Sequence, residues 1–108
     1  KQGATAIVPA RLNQQQQTAV QRLALAACRA LHVQGMARVD FFVSDERIVI
    51  NELNTIPGFT EISLYPWNWQ ESGLPIETLL QDLLISAMGY FEQRKKHHAP
   101  MSDTIKKD

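Results

Sequence analysis

The spacing of apolar residues along the chain predicts two helices. Between Asn13 and Leu31 apolar side chains recur every three or four positions, while Gln14–Gln17 and Arg22 stay polar, so this segment predicts an amphipathic helix with Asn13 as its N-cap. Its apolar side consists of Ala19, Val20, Leu23, Ala27 and Leu31. A second stripe follows Pro75, a suitable first-turn proline, and predicts a helix packed against a sheet. The members of that stripe are Leu79, Leu80, Leu83, Leu84, Ala87, Met88 and Phe91.

Between the two helices the pattern changes to that of β-strands. Gly35 marks a break, and the segments Ala37–Val43 and Arg47–Leu53 that follow are joined by a short polar connection, which predicts a β-hairpin. Near the start of the chain, Ala4–Pro9 is a short apolar run that predicts a further strand, with its pairing partners outside the chain. The whole pattern predicts an α+β fold, an antiparallel sheet with packed helices.

The region after the hairpin, residues 54–73, predicts an ordered loop with a short helical turn near its aromatic stretch Tyr65–Trp69. Within it, Pro57-Gly58 is a tight turn that can expose backbone N–H groups, and Thr60 and Ser63 supply hydroxyl groups beside that turn. Such a loop can hold a carboxylate or an oxyanion. The alternative is an ordinary connecting loop.

The end of the chain differs in composition from the rest. From Arg94 onward the residues are polar, which predicts a folded domain over residues 1–93 and a disordered tail over residues 94–108. His97 and His98 lie in this tail without the usual spacing of metal ligands, so no metal role is predicted for them.

Composition limits the classes of function. At 108 residues and 12.2 kDa the chain suits one compact domain with a modest core, and it is far too short for a typical two-substrate enzyme that uses a nucleotide. Eleven basic and eleven acidic residues cancel, so no nucleic-acid or membrane partner is indicated. No apolar run approaches the roughly 18 residues of a membrane span. The single cysteine, Cys28, is interpreted as a thiol in the core. Both observations favour a cytoplasmic location. The first residue is not methionine, which favours a piece of a longer protein.

Four polar residues on the predicted hairpin form a candidate site. In a regular antiparallel hairpin the residue numbers of opposed partners add up to a constant. If Asp40 faces Glu52, Arg38 therefore faces Asn54, and all four side chains lie on one face. Directly opposed carboxylates destabilise a sheet, so the pair requires a cation. Two carboxylates and an asparagine oxygen are hard ligands of the kind that Mg²⁺ prefers. Two alternatives stay open: a solvated acidic face without function, or a register slip that separates the two carboxylates.

Apolar neighbours favour the functional interpretation of these charges. Phe42, Ile50 and Leu53 make both strands apolar on both faces, which predicts a sheet that is covered on both sides. Asp40 and Glu52 would then be charges inside a covered sheet, where an unpaired charge is costly.

The hairpin and its loop resemble a known family. The run Arg38-Val-Asp40, followed by NELNTIPGFTEISLYP at Asn51–Pro66, closely resembles the D-alanine:D-alanine ligases of the ATP-grasp superfamily. The similarity extends from about Ala4 to Phe91 and implies a fragment that corresponds to the C-terminal subdomain of the ATP-grasp fold. It also implies an ATP-dependent enzyme that joins two D-alanines through an acyl phosphate to make a precursor of peptidoglycan.

The resemblance implies a pair of divalent ions, Mg²⁺ or Mn²⁺, at the acidic end of the hairpin. By residue-by-residue correspondence with the family, Asp40 would bind one ion, Glu52 would bridge both, and Asn54 would bind the second. ATP is the implied cosubstrate, and the ions would offset the charge of its phosphates.

The resemblance also implies roles for four residues that contact the amino-acid substrates. Arg38 and the backbone N–H of Gly58 correspond to groups that stabilise the oxyanion formed when the second D-alanine adds. Ser63 and Leu64 correspond to the residues that receive the carboxylate of this second D-alanine.

Several parts of such an enzyme are missing from the chain. The N-terminal domain, the lysines that grip the ATP phosphates and the mobile covering loop are absent, so this chain alone is expected to be inactive, whereas the full-length enzyme is expected to be a homodimer. The alternatives are a ligase that joins D-alanine to D-lactate or D-serine, a choice made in the absent covering loop, and a non-catalytic ATP-grasp-derived binding module.

Overall fold

The computed structural model describes residues 3–97 and confirms the α+β class. Along the chain it contains a helix, a β-hairpin and two further helices. These elements are α1 (Gln14–Ala30), β1 (Arg38–Val43), β2 (Ile48–Asn54), α2 (Leu64–Glu71) and α3 (Ile76–His97).

The start of α1 is determined by local hydrogen bonds, as the sequence predicts. The Asn13 side-chain oxygen accepts a hydrogen bond from the Gln16 backbone N–H at 2.8 Å, and the Asn13 N–H donates to the Gln16 side chain at 3.1 Å. This reciprocal capping box satisfies two N–H groups that would otherwise lack a partner. The predicted apolar side is half-buried at Ala19, Val20, Leu23 and Ala27, whereas Leu31 lies beyond the helix and is exposed.

The hairpin is antiparallel, and its register contains an irregularity. Asp40 pairs with Glu52, but the next residue, Phe41, pairs with Ile50, so that Asn51 is passed over. The two pairs that the sequence analysis derives, Asp40 with Glu52 and Arg38 with Asn54, therefore lie on one side of this β-bulge, and the register shifts by one residue beyond Asp40. In a regular strand Ile50 and Glu52 would share a face, because side chains alternate. The extra residue separates them.

The bulge places Ile50 and Glu52 on opposite faces of the hairpin, so that Ile50 shares the face of its partner Phe41. Val39 and Phe41 lie on the apolar face and line a groove together with Val20 and Ala24 of α1 and Tyr65 of α2. Phe42, on the other face, is 65% exposed. The expectation of a sheet covered on both sides is therefore wrong within the described part of the chain, because only one face packs against helices.

No strand forms at Ala4–Pro9 within the described residues, and since its pairing partners are expected outside the chain, that strand stays a prediction. Residues 3–13 have irregular backbone, and the sheet within the described residues has two strands, β1 and β2. Apolar and β-branched residues give a segment the tendency to be a strand, but a strand is held by hydrogen bonds to a neighbour. The run has no such neighbour among residues 3–97.

The loop after the hairpin contains more helix than the sequence predicts. The expected short turn is the eight-residue helix α2, in which Tyr65 and Pro66 are buried. The Tyr65 ring contacts Phe59 and Trp69, with ring centroids 5.6 and 6.3 Å apart. This small aromatic cluster connects the loop to α2.

Helix α3 packs against α2 rather than against the sheet, which corrects the prediction made from its apolar stripe. It begins directly after Pro75, whose carbonyl accepts a hydrogen bond from the Leu79 N–H at 3.0 Å. Leu79 is buried, but most of the predicted stripe is exposed. The exposed members are Leu80, Leu84, Ala87, Met88 and Phe91. Periodicity thus predicts an apolar side without showing that a partner covers it.

The helix α3 continues to His97, beyond the predicted domain boundary at residue 93. Residues 98–108 of the predicted tail, including His98, lie outside the described residues, and the division into domain and tail stays a prediction. None of the described helices is both long enough and apolar enough to cross a bilayer.

Substitution of Leu79 by alanine is expected to lower the free energy of unfolding by about 2 kcal/mol, since it removes a buried side chain from a small core. Leu79 is only 4% exposed, whereas Leu84 on the same helix is 67% exposed. The matched change Leu84→Ala is expected to alter that free energy by less than about 0.5 kcal/mol. Urea unfolding followed by circular dichroism measures both variants. Equal effects would mean that α3 does not pack as described.

Candidate active site on the open face of the hairpin

Four polar side chains meet at the end of the hairpin that leads into the loop. Arg38 pairs with Asn54, and Asp40 with Glu52, which confirms the register predicted for these two pairs. Because opposed residues share a face and side chains alternate along each strand, all four lie on the face that no helix covers.

Arg38 connects the two carboxylates. Its Nε donates to Asp40 Oδ1 at 2.8 Å and its Nη2 to Asp40 Oδ2 at 2.9 Å, and Nη2 also donates to Glu52 Oε1 at 3.3 Å. The hydrogen bonds that Arg38 donates to Asp40 and the attraction of the Asp40 charge raise the pKa of Arg38, with a smaller contribution from Glu52. In this structure the Arg38 guanidinium is thus the cation that the two opposed carboxylates require.

The chemistry of the donor set fits a magnesium or manganese ion. Asp40 and Glu52 are within reach of one guanidinium nitrogen, so both are within reach of a single bound cation. Among residues 3–97 no group of three or more His, Cys, Asp or Glu side chains could hold a metal. The third protein ligand would have to be the Asn54 oxygen, with the remaining positions filled by water or phosphate oxygens, which is the coordination that Mg²⁺ favours.

Asn54 connects the site to the loop. Its side-chain oxygen accepts a hydrogen bond from the Ile56 backbone N–H at 2.9 Å, which fixes the first turn after β2. A carbonyl oxygen has two lone pairs, so this bond leaves one for a metal.

Gly58 and Ser63 come into close contact across the loop. A Cβ atom at Gly58 would lie 2.9 Å from Ser63 Oγ, closer than a real Cβ contact allows. Ser63 Oγ accepts a hydrogen bond from the Thr60 N–H at 3.0 Å and shares another with Thr60 Oγ1 at 2.8 Å. Only glycine at position 58 leaves this hydroxyl where Thr60 holds it.

Ser63 and Leu64 lie at the start of α2. Ser63 is in the N-cap position, yet its side chain makes no capping hydrogen bond to the helix. Pro66 in the first turn has no N–H to donate. The N–H groups of Leu64 and Tyr65 therefore remain at the positive end of a helix, where a carboxylate is favoured.

The structure groups the predicted site residues into two subsites. Arg38, Asp40 and Glu52 contact one another, and Gly58 approaches Ser63. Within the described part of the chain no hydrogen bond joins Ser63 to the carboxylates. The two subsites are connected along the chain by Asn54 and the loop that it starts.

The bulge at Asn51 is the structural feature of the site that the sequence interpretation missed. A clue was present, because the alternation changes phase within β2: Ile48 and Ile50 are apolar, whereas Glu52 and Asn54, at the same spacing, are polar. A strand with one apolar and one polar face can show this change only if an extra residue is inserted between them.

The fold and site together define a class of protein. The solved structure of the D-alanine–D-alanine ligase from Coxiella burnetii matches this chain with a TM-score of 0.83 and 41% identity, over 86% of this chain and 27% of that one. The chain thus has the α+β architecture of the C-terminal part of an ATP-grasp ligase.

The family can also be stated. A family model described as D-ala D-ala ligase C-terminus matches residues 1–85, and the chain belongs to that family. A D-alanine–D-alanine ligase from Prochlorococcus marinus (strain NATL2A) is 49% identical over 80 residues, which is 72% of this chain and 23% of the relative. One from Coxiella burnetii (strain Dugway 5J108-111) is 42% identical over 95 residues, which is 87% of this chain and 26% of the relative. The chain spans about a quarter of the length of these relatives.

Proposed function

We propose that this chain forms the C-terminal part of an ATP-dependent D-alanine–D-alanine ligase. The observation that carries the proposal is the pairing of Asp40 with Glu52 on one open face, in a chain whose relatives bear that name. The complete enzyme would phosphorylate the carboxylate of one D-alanine with ATP, and the amine of a second would then displace phosphate from the acyl phosphate. The dipeptide would serve peptidoglycan synthesis, in the cytoplasm, and the enzyme would be a homodimer.

The acidic end of the hairpin is proposed as the metal site. Asp40 would hold one Mg²⁺ or Mn²⁺ ion, Glu52 both ions and Asn54 the second. When bound, these ions supply positive charge against the transferring phosphate. The exposure of Asp40 and Glu52, 36% and 57% of their side chains, supports this role, because ligand oxygens can reach them from the open face.

Arg38 and Gly58 are proposed to act on the oxygen that becomes negative when the amine adds to the acyl phosphate. Arg38 keeps its charge at any physiological pH, as arginine does in proteins, and Asp40 raises its pKa further. A guanidinium and a backbone N–H that are directed at the developing negative charge stabilise it.

The start of α2 is proposed to bind the carboxylate of the second D-alanine. The Ser63 hydroxyl, held by Thr60, would donate to one carboxylate oxygen, and the backbone at Leu64 would meet the other. The positive end of the helix supports this assignment.

A chimeric ligase tests the proposed function. In it, this chain replaces the matching 27% of the Coxiella burnetii ligase, and the rest of that ligase is kept. We expect the chimera to form D-alanyl-D-alanine and release phosphate from ATP in a metal-dependent way. The chain alone is expected neither to form the dipeptide nor to release phosphate. Phosphoryl transfer depends on accurate positioning of the substrates, and this chain would contribute only some of the groups that position them.

The assay follows phosphate release and dipeptide in the same sample. A chimera that has the circular dichroism of a folded ligase and binds ATP, but forms no dipeptide, would contradict the proposal. Dipeptide formation by the chain alone would show that the remaining parts are not needed.

A further inference from the structure

We propose that Arg38 is a resident cation that competes with divalent metal for Asp40 and Glu52. Metal binding would then require the Arg38 guanidinium to leave the carboxylates, which frees its N–H groups for substrate oxygens. The inference rests on the proposed metal site and adds to it a coupling between metal loading and the availability of Arg38.

The first support is the geometry of the ion pairs. Arg38 uses Nε and Nη2 on the two oxygens of Asp40, at 2.8 and 2.9 Å, which is the planar two-bond arrangement that makes arginine–carboxylate pairs strong. The same Nη2 reaches Glu52 Oε1 at 3.3 Å. One guanidinium therefore contacts both carboxylates that would hold a metal.

The second support is the balance of charge. Asp40 and Glu52 carry two negative charges. The positive charge of Arg38 reduces the net charge of the three side chains to minus one. A carboxylate offers about four lone-pair sites, so Arg38 does not block coordination sterically. A divalent ion beside the guanidinium would nevertheless be repelled by its positive charge. The ion would also be attracted less strongly than by the two carboxylates alone, because the net negative charge is smaller. Charge, rather than space, would make the two cations exclude each other.

The third support is the location of the group. The side chains of Arg38, Asp40 and Glu52 are 29%, 36% and 57% exposed. The guanidinium can therefore move into solvent without disturbing buried side chains. Water competes for the charges of an ion pair at this level of exposure, so even the two-bond pair of Arg38 with Asp40 stays open to exchange. A divalent ion can therefore displace Arg38.

The test compares Mn²⁺ binding by the 108-residue chain and its variants. Arg38→Met removes the charge and adds no oxygen that could bind metal, so we expect the Kd for Mn²⁺ to fall about tenfold. Arg38→Lys keeps the charge but loses the planar two-bond contact, and its Kd should lie between the other two. Arg47→Met, in the turn of the same hairpin, is the control for charge alone and should leave the Kd unchanged. Calorimetry or the free Mn²⁺ signal in electron paramagnetic resonance gives each Kd.

A second measurement uses the unaltered chain and does not depend on how a variant folds. The Nε–H resonance of Arg38, assigned by its loss in Arg38→Lys, should move during a Mg²⁺ titration as its hydrogen bond to Asp40 breaks. An Nε–H signal that stays in place while Mg²⁺ binds would overturn the proposal.

The outcomes separate this proposal from the metal site on which it rests. Equal Kd values for the unaltered chain, Arg38→Met and Arg38→Lys would overturn the competition and leave the metal site standing. If Arg38→Met lost the circular dichroism of the unaltered chain, the competition would be judged from two other measurements. These are the Kd of Arg38→Lys compared with that of the unaltered chain, and the shift of the Arg38 Nε–H resonance. No Mn²⁺ binding by any folded form would overturn both the metal site and the competition.

Discussion

Replacement of Glu52 by glutamine in the chimeric ligase is expected to lower kcat by about 100-fold or more, the loss typical of a group that stabilises developing charge. Glu52 lies opposite Asp40 and is the carboxylate assigned to both ions. Glutamine keeps the size of the side chain but removes its charge and its ability to bridge two cations. The substitution should hardly change stability, because an exposed ion pair such as Glu52 with Arg38 contributes about 0–1 kcal/mol.

Steady-state kinetics and a thermal melt of the same variant test this prediction. The matched control is Glu46→Gln in the turn of the same hairpin, an exposed carboxylate outside the site, which should leave kcat unchanged. A Glu52→Gln enzyme with the kcat of the chimera would remove Glu52 from the mechanism. A large fall in melting temperature would instead indicate a structural role.

Substitution of Gly58 by alanine is expected to reduce kcat/KM for the second D-alanine by about 100-fold, since displacements of about 1 Å in an active site have effects of this size. The new Cβ would lie 2.9 Å from Ser63 Oγ. Ser63 cannot simply rotate away, because that motion breaks both of its hydrogen bonds to Thr60. The substitution should displace the hydroxyl assigned to the substrate carboxylate and the Gly58 N–H together.

A double-mutant cycle distinguishes this steric cause from any general weakening of the loop. In a Ser63→Ala background the clashing oxygen is absent, and the remaining contact, to Ser63 Cβ at 3.8 Å, is ordinary. Gly58→Ala should therefore cost far less in that background than in the parent chimera. Equal costs in both backgrounds would mean that Gly58 is required for another reason.

The sequence predicted those parts of the fold that depend on local interactions. Asn13 and Gln16 are three residues apart and cap α1 by themselves, so the helix start could be predicted without knowing what surrounds it. The pairing of Asp40 with Glu52 is one of two registers that the sequence leaves open, and it is the register that places Arg38, Asp40, Glu52 and Asn54 on one face.

Other features depended on atoms that no local pattern specifies. The bulge at Asn51 contains no glycine or proline that would mark it, and only the change of phase between Ile50 and Glu52 indicated it. The contact of Gly58 with Ser63 depends on the exact path of the loop. The site residues could be named from the sequence, but the distances that constrain them could not.

The remaining differences between prediction and structure concern the partners of an element rather than its propensity. Ala4–Pro9 has the composition of a strand but no neighbouring strand, and α3 has an apolar stripe that α2 covers only in part. Sequence periodicity states which side of an element is suited to burial. Whether that side is buried depends on other segments, which the pattern of the element itself does not describe.

The small core also determines how the chain should respond to heat and denaturant. Tyr65 and Leu79 are the buried hydrophobic residues of the described part, while Leu84, Met88 and Phe91 stay in contact with water. Unfolding therefore exposes little new apolar surface, and both the heat-capacity increment and the denaturant m-value should be smaller than is usual for a chain of this length. A partner that covered α3 would raise both quantities, so calorimetry can detect such a partner through the change in curvature of the stability curve.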